Sequence, residues 1–165
     1  MLNFDVNERC YGCSACAANC PVKAITMVEN EEGFLIPRID MEKCMRCGLC
    51  ESVCPHLNVI ESGRKLENAL CLGVFRTDVE KRKKSTSGGV AAVLAESIVG
   101  ESGIAIGACW TKEFDVKHIT VSKLEDLNKL AGSKYVQSDM QDVYKDIRQS
   151  LEEKRKIVFV GTPCQ

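Results

Sequence analysis

Cys10-Tyr11-Gly12-Cys13-Ser14-Ala15-Cys16-Ala17-Ala18-Asn19-Cys20-Pro21 repeats its pattern in Cys44-Met45-Arg46-Cys47-Gly48-Leu49-Cys50-Glu51-Ser52-Val53-Cys54-Pro55. Both stretches are C-x2-C-x2-C-x3-C-P, the spacing that binds a [4Fe–4S] cube. Three thiolates spaced by two residues wrap a turn of backbone around one cube and hold three of its irons. The fourth cysteine starts the next element and points elsewhere, so in two-cluster proteins it completes the cube of the other motif. The pattern predicts one cluster on Cys10, Cys13, Cys16 and Cys54, and another on Cys44, Cys47, Cys50 and Cys20. Such a pair of cubes implies electron transfer.

The neighbouring residues agree. Gly12 and Gly48 lie between ligands, where a tight turn needs a residue without Cβ. Ser14, Ala15, Ala17 and Ala18 let backbone amides approach the cluster sulfurs, and Pro21 and Pro55 close each motif by fixing φ and withholding a donor. The repetition extends outward: Glu8-Arg9 precedes Cys10 as Glu42-Lys43 precedes Cys44, and Ala24-Ile25 answers Val59-Ile60. This is the mark of a duplicated ferredoxin half. Zinc needs four cysteines per ion and usually a longer gap between CxxC pairs. Disulfides suit a secreted chain, and Met1-Leu-Asn-Phe-Asp-Val-Asn-Glu8 has neither a basic nor an apolar leader segment.

The chain has 165 residues, room for one ordinary domain or two small ones, and eight of its eleven cysteines fall between Cys10 and Cys54. Its formal charge is −1, and eight thiolates on two 2+ cores would take it to about −5. That argues against nucleic acid or an anionic membrane as a partner. The best apolar stretch, Gly88 to Gly100, is interrupted by Glu96, so no membrane span is expected. Free-thiol chemistry and the missing export signal place the protein in a reducing cytoplasm.

Residues 1–62 are expected to form the cluster module, with a strand, turn and strand over Ala24–Glu29, Asn30–Gly33 and Phe34–Ile39. The polar run Glu61–Lys65 reads as a linker. Residues 66–165 alternate apolar strands with helices, which predicts an α/β sandwich with a mixed sheet. Strands are expected at Ala69–Phe75, Ile104–Trp110, Val116–Val121 and Ile157–Val160. Arg76–Lys84 is expected to be a charged loop. Helices are expected from a cap at Thr86 or Ser87 through Glu101, from Ser122 through Leu130, and from Asp139 to about Lys154. The fold class is thus a two-cluster ferredoxin-like module followed by an incomplete α/β domain. A helix should follow the turn at Gly161–Gln165 to cover the sheet, so the chain is expected to be the N-terminal portion of a longer protein.

Three further motifs follow the cysteines in order: Ser85-Thr-Ser-Gly-Gly89, Gly132-Ser-Lys-Tyr135 and Gly161-Thr-Pro-Cys-Gln165. With them the whole chain resembles the family of coenzyme F420 hydrogenase/dehydrogenase β subunits, which includes relatives of formate dehydrogenase β subunits. Paired cluster motifs occur in many proteins; the ordered trio makes the resemblance specific. It implies an FAD-containing oxidoreductase subunit passing electrons between a hydride carrier such as coenzyme F420 and the clusters. It also implies a flavin site that includes Ser87, Gly88, Gly89, Lys134 and Thr162, completed by a C-terminal region in the full-length protein. A partner follows: an electron donor or acceptor protein, or a hydrogenase or dehydrogenase subunit.

The residues themselves give partial support. Ser87-Gly88-Gly89 opens a helix, whose free N–H groups and dipole make an anion site suited to a pyrophosphate, although an ordinary N-cap reads the same way. Lys134 could reach a phosphate or a flavin carbonyl, or simply be solvated. Lys81–Lys84 is a solvated loop or a steering patch. Cys164 is an inert small hydrophobe or a group near the flavin or a further cluster. Cys71 and Cys109 read as packing residues, and His56 and His118 have no partner pattern. Two other functions fit: a non-catalytic ferredoxin-like carrier or docking subunit, and a flavin-dependent reductase of an organic substrate.

Overall fold

A computed structural model describes residues 2, 5–58, 70–140 and 143–165. The expected linker and Val59-Ile60 lie outside the described residues. The chain opens with a single turn, α1 (Val6–Arg9), capped by the Asp5 carboxylate, which accepts from Asn7 N. The turn α2 (Ala15–Ala18) carries Cys16, and α3 (Leu49–Ser52) carries Cys50. Between them β1 (Ile25–Glu29) and β2 (Leu35–Ile39) pair antiparallel, Ile25 opposite Ile39. Asn30 sets the hairpin turn by accepting the Glu32 and Phe34 amides on its side chain. Cys16, Ile25 and Met27 form the buried centre of this half, with Leu35, Ile39 and Cys50 packed around them.

The second half expects a strand at Ala69–Phe75, but residues 70–75 have no regular structure, and Leu70, Leu72 and Phe75 are exposed. An apolar run of that length does not by itself distinguish a strand from a tethered loop. The segment is held instead by Arg76, whose amide donates to Gly88 O at 2.7 Å and whose guanidinium grips Glu96 with bonds of 2.9 and 2.6 Å. The charged loop contains a short helix, α4 (Val79–Lys83), capped by Asp78.

Helix α5 (Val90–Gly100) starts at Gly89 in the left-handed conformation, later than the expected Thr86 or Ser87 cap. It is followed by β3 (Ile104–Trp110), β4 (Val116–Val121) and a 3₁₀ helix at Leu124–Leu130, whose N-cap is Lys123 rather than Ser122. Helix α6 spans Val143–Glu152, shorter than the expected Asp139–Lys154, and β5 covers Ile157–Phe159. The sheet order is β4-β3-β5, antiparallel then parallel, which is the expected mixed sheet. Side chains alternate across β3. Ile104 and Ile106 pack with Met140 and Val143 on one face, while Ala105 meets Ala95, Val99 and Leu130 on the other. Among the described residues no helix is long and apolar enough to cross a membrane.

The halves are joined by specific bonds. Gln137 Oε1 accepts from Leu35 N at 2.6 Å and its Nε2 donates to Leu35 O at 3.5 Å. Tyr144 Oη donates to Cys13 O at 2.8 Å, and Arg148 reaches Asn19 at 3.4 Å.

Candidate functional site

Both cysteine loops wind the same way. The residue before α2, Ser14, and the residue before α3, Gly48, are both left-handed, with φ of 64° and 77°. This reversal turns the chain so that the first three cysteines of each motif face a common cavity. Cys10, Cys13 and Cys16 line one cavity together with Cys54; Cys44, Cys47 and Cys50 line another together with Cys20. The fourth cysteine of each motif therefore sits with the other motif's three. Cys16 of the first cavity is buried, whereas Cys47 of the second is exposed.

Amides already point at two of the sulfurs: Gly12 N approaches Cys10 Sγ at 3.3 Å and Ala24 N approaches Cys20 Sγ at 3.2 Å. Burial pushes the Cys10 and Cys13 thiols up and carries Cys16 to about 12, with neighbouring thiolates adding to the effect. A cationic core offsets that cost, so one buried and three half-buried thiols suit a bound metal cluster. Among the described residues no three His, Cys, Asp or Glu side chains converge as one metal ion requires.

A cleft of about 1060 Å³ lies beside the first cavity. Ser85–Gly89, Gly132–Lys134 and Gly161-Thr162 with Cys164 and Gln165 all line it, and Cys10, Tyr11 and Gly12 line it from the other half. Three segments far apart in sequence thus meet at one place. Thr86 Oγ1 accepts from Ser133 N at 3.0 Å, tying the first segment to the second. Within the third, Thr162 N donates to Gln165 Oε1 at 3.0 Å, and Thr162 Oγ1 lies 3.2 Å from Cys164 Sγ. No side chain caps α5 at its start on Gly89. Lys134 is partly buried, which holds its ammonium below the usual lysine range, and its Nζ donates to Ala131 O at 2.8 Å. Tyr135 stands outside, 88 % exposed.

Several residues differ from expectation. Gly88 is more than an approach point for a ligand: a Cβ there would stand 2.7 Å from Val74 O and 3.3 Å from Phe75 Cα. Its missing side chain is required by the chain crossing over it. Within the basic run Arg82 has a structural role, donating to Arg76 O at 2.9 Å and lying 4.9 Å from the Phe75 ring centroid, while Lys81, Lys83 and Lys84 are exposed. Cys71 is exposed rather than packed. Cys164 lies close enough to Cys10 and Cys13 for its charge to raise both thiols.

His118, which the sequence left without a role, lines the cleft and is buried. Its Nδ1 is 2.8 Å from Ser138 Oγ, its Nε2 is 3.0 Å from Val160 O, and its ring stacks on Phe159. Burial lowers its pKa and favours the neutral ring. An inward position two residues beyond Val116 in β4 was the signal available. His56 packs edge-on against Tyr11 and lines the first cysteine cavity.

Residues 9–58 match the 4Fe-4S dicluster domain. This segment is a 4Fe–4S dicluster domain. Its presence assigns iron–sulfur electron transfer to the chain. The likeness to known proteins extends past the dicluster domain. An uncharacterised protein of Methanocaldococcus jannaschii is 30 % identical, over 98 % of this chain and 51 % of its own length. One of the subunits of the F420H2 dehydrogenase of Methanosarcina mazei is 24 % identical over 100 % of this chain and 48 % of its own length. The coenzyme F420-dependent sulfite reductase of M. jannaschii is 27 % identical over 100 % of this chain and 26 % of its own. These similarities cover both the dicluster domain and the α/β half. The chain spans about half the length of the first two of these relatives.

Proposed function

We propose that this chain is the cluster-bearing part of an FAD-dependent oxidoreductase subunit that moves electrons between a hydride carrier of the F420 type and two [4Fe–4S] clusters. One observation carries the reading: the cleft is walled by Ser87–Gly89, Lys134 and Thr162 on one side and by Cys10–Gly12 on the other. A cofactor held there lies against the first cysteine cavity. Bound flavin would supply the conversion of a two-electron hydride into single electrons.

The residues fit such a group. The first amides of α5 and the positive end of its dipole face the cleft and suit a pyrophosphate. Lys134 adds a poorly solvated positive charge. Ala105, Gly107 and Ala108 keep the cleft wall low enough for a flat ring. On the dicluster side, Cys10, Cys13, Cys16 and Cys54 would hold the cube next to the cleft, and Cys44, Cys47, Cys50 and Cys20 the outer one. Residues 1–62 are then the cluster module and 66–165 the first part of the flavin module. A protein partner that donates or accepts electrons would meet the outer cube, where Cys47 is exposed. Eleven free thiols suit a reducing cytoplasm.

The test is the composition of the complete natural protein purified without oxygen. About eight irons and one FAD per chain are expected, with the flavin bleached by reduced F420. Two cubes without flavin would overturn the flavin reading and leave a ferredoxin-like carrier. Ser87 is exposed, so Ser87→Asp adds charge at the cleft without a clash. That variant should keep its iron and lose FAD.

A further inference from the structure

Ser14 is 1 % exposed, and its Oγ is a buried side-chain oxygen without a hydrogen-bond partner among the described residues. Buried hydroxyls nearly always find a partner, because an unmet one loses its hydration for nothing. Ser14 also has φ 64° and ψ 2°, a conformation that L side chains disfavour. The internal repeat supplies the control. Gly48 follows Cys47 as Ser14 follows Cys13, and it has φ 77° and ψ −3°. The loop thus accepts glycine at this position, and the first motif carries a strained serine with an unpaired hydroxyl. Ser14 lines the cavity formed by Cys10, Cys13, Cys16 and Cys54.

We propose that the Ser14 hydroxyl donates a hydrogen bond to a sulfur of the cluster in this cavity and raises that cluster's reduction potential. The inference rests on the ligand assignment above. Hydrogen bonds to cluster sulfurs are among the controls on potential, because they stabilise the more negative, reduced form. Gly48 has no hydroxyl, so the two halves of the duplication differ at this contact. Ser14 tunes a one-electron couple; no proton leaves it and no bond is made or broken. The cube beside the cleft becomes the better electron acceptor than it would be with glycine, and the outer cube keeps its untuned value.

The experiment is an EPR-monitored redox titration of the anaerobically purified protein, with iron counted first. Ser14→Gly relieves the strained conformation and should leave the protein folded with about eight irons. At a fixed potential the reduced-to-oxidised ratio of one cluster should fall about tenfold, a shift of about 59 mV for one electron, while the other stays put. Gly48→Ser should raise the potential of the other cluster. Eight irons with both potentials unmoved in Ser14→Gly, or with both moved together, would overturn the role of Ser14 alone. Fewer than eight irons in the unmodified protein would overturn the ligand assignment and this inference with it.

Discussion

The phenol of Tyr144, on the first turn of α6, donates a 2.8 Å hydrogen bond to the carbonyl oxygen of Cys13. A side chain of the α/β half thereby fixes the backbone of a cysteine loop. Tyr144→Phe keeps the ring and leaves the Cys13 carbonyl unpaired, a loss of about 1–3 kcal/mol. Chemical denaturation should show that loss, and the iron content of the folded protein should not change. A variant as stable as the parent would mean that the contact is not formed in solution.

Gly12 makes the junction tighter still. A Cβ there would fall 1.8 Å from Gln137 Nε2 and 2.7 Å from Leu35 O, at a φ of +63°. Gly12→Ala should therefore destabilise the protein by about 1–3 kcal/mol or more from overpacking and backbone strain together. Gln137→Ala in the same chain should recover only part of this, because the Leu35 carbonyl remains. Full recovery in a thermal melt would show that the side chain was the sole obstacle.

Each fourth cysteine lines the opposite cavity. Cys20→Ser should accordingly disturb the cluster of Cys44, Cys47 and Cys50 and spare the other. EPR of the two reduced clusters distinguishes the cases. Damage to the cluster of Cys10, Cys13 and Cys16 instead would reverse the assignment.

Iron removal should unfold the dicluster half. Its buried cluster of Cys16, Ile25 and Met27 is small, and all three line the cysteine cavities, so metal binding should supply much of its folding free energy. Amide exchange in chelated protein should be fast across β1 and β2 and slow across β3. Persistent protection in β1 would refute this.

His118 gives a pH dependence. Burial lowers its pKa below the ordinary 6.5, so the unfolded chain binds its proton more readily than the folded one. Stability is fully present above pH 6.5 and falls as the pH drops from there through the folded value. Protonation would also put a second N–H on the ring, facing Ser138 Oγ. His118→Gln should flatten stability against pH in this range. An unchanged slope would assign the acid sensitivity to other groups.

The cysteine spacing made the dicluster half legible, because metal ligation tolerates few other arrangements. The apolar segments at Ile104–Trp110 and Val116–Val121 likewise formed strands. Leu70–Phe75 misled for a physical reason. Its apolar residues are tethered through Arg76 to Gly88 and Glu96, contacts with no local periodicity. Gly88 itself looked like a ligand contact, and its crossing with Val74 needed the third dimension to appear. Gln137 and His118 were silent for the same reason, since their partners lie 102 residues away at Leu35 and 42 residues away at Val160. The motifs Ser85–Gly89, Gly132–Tyr135 and Gly161–Gln165 could be recognised as text, but their convergence on one cleft is a property of the sheet.

The unequal shelter of the two cysteine cavities has a consequence for life in air. Cys47 is open to solvent while Cys16 is buried in a cluster with Ile25 and Met27. Dissolved oxygen and peroxide attack accessible thiolates first. Oxidative loss should therefore be sequential, with the outer cube bleaching early and the inner one surviving. Aerated protein should pass through a stage that still takes electrons from the cleft side but cannot hand them on, a dead end that spills them onto oxygen.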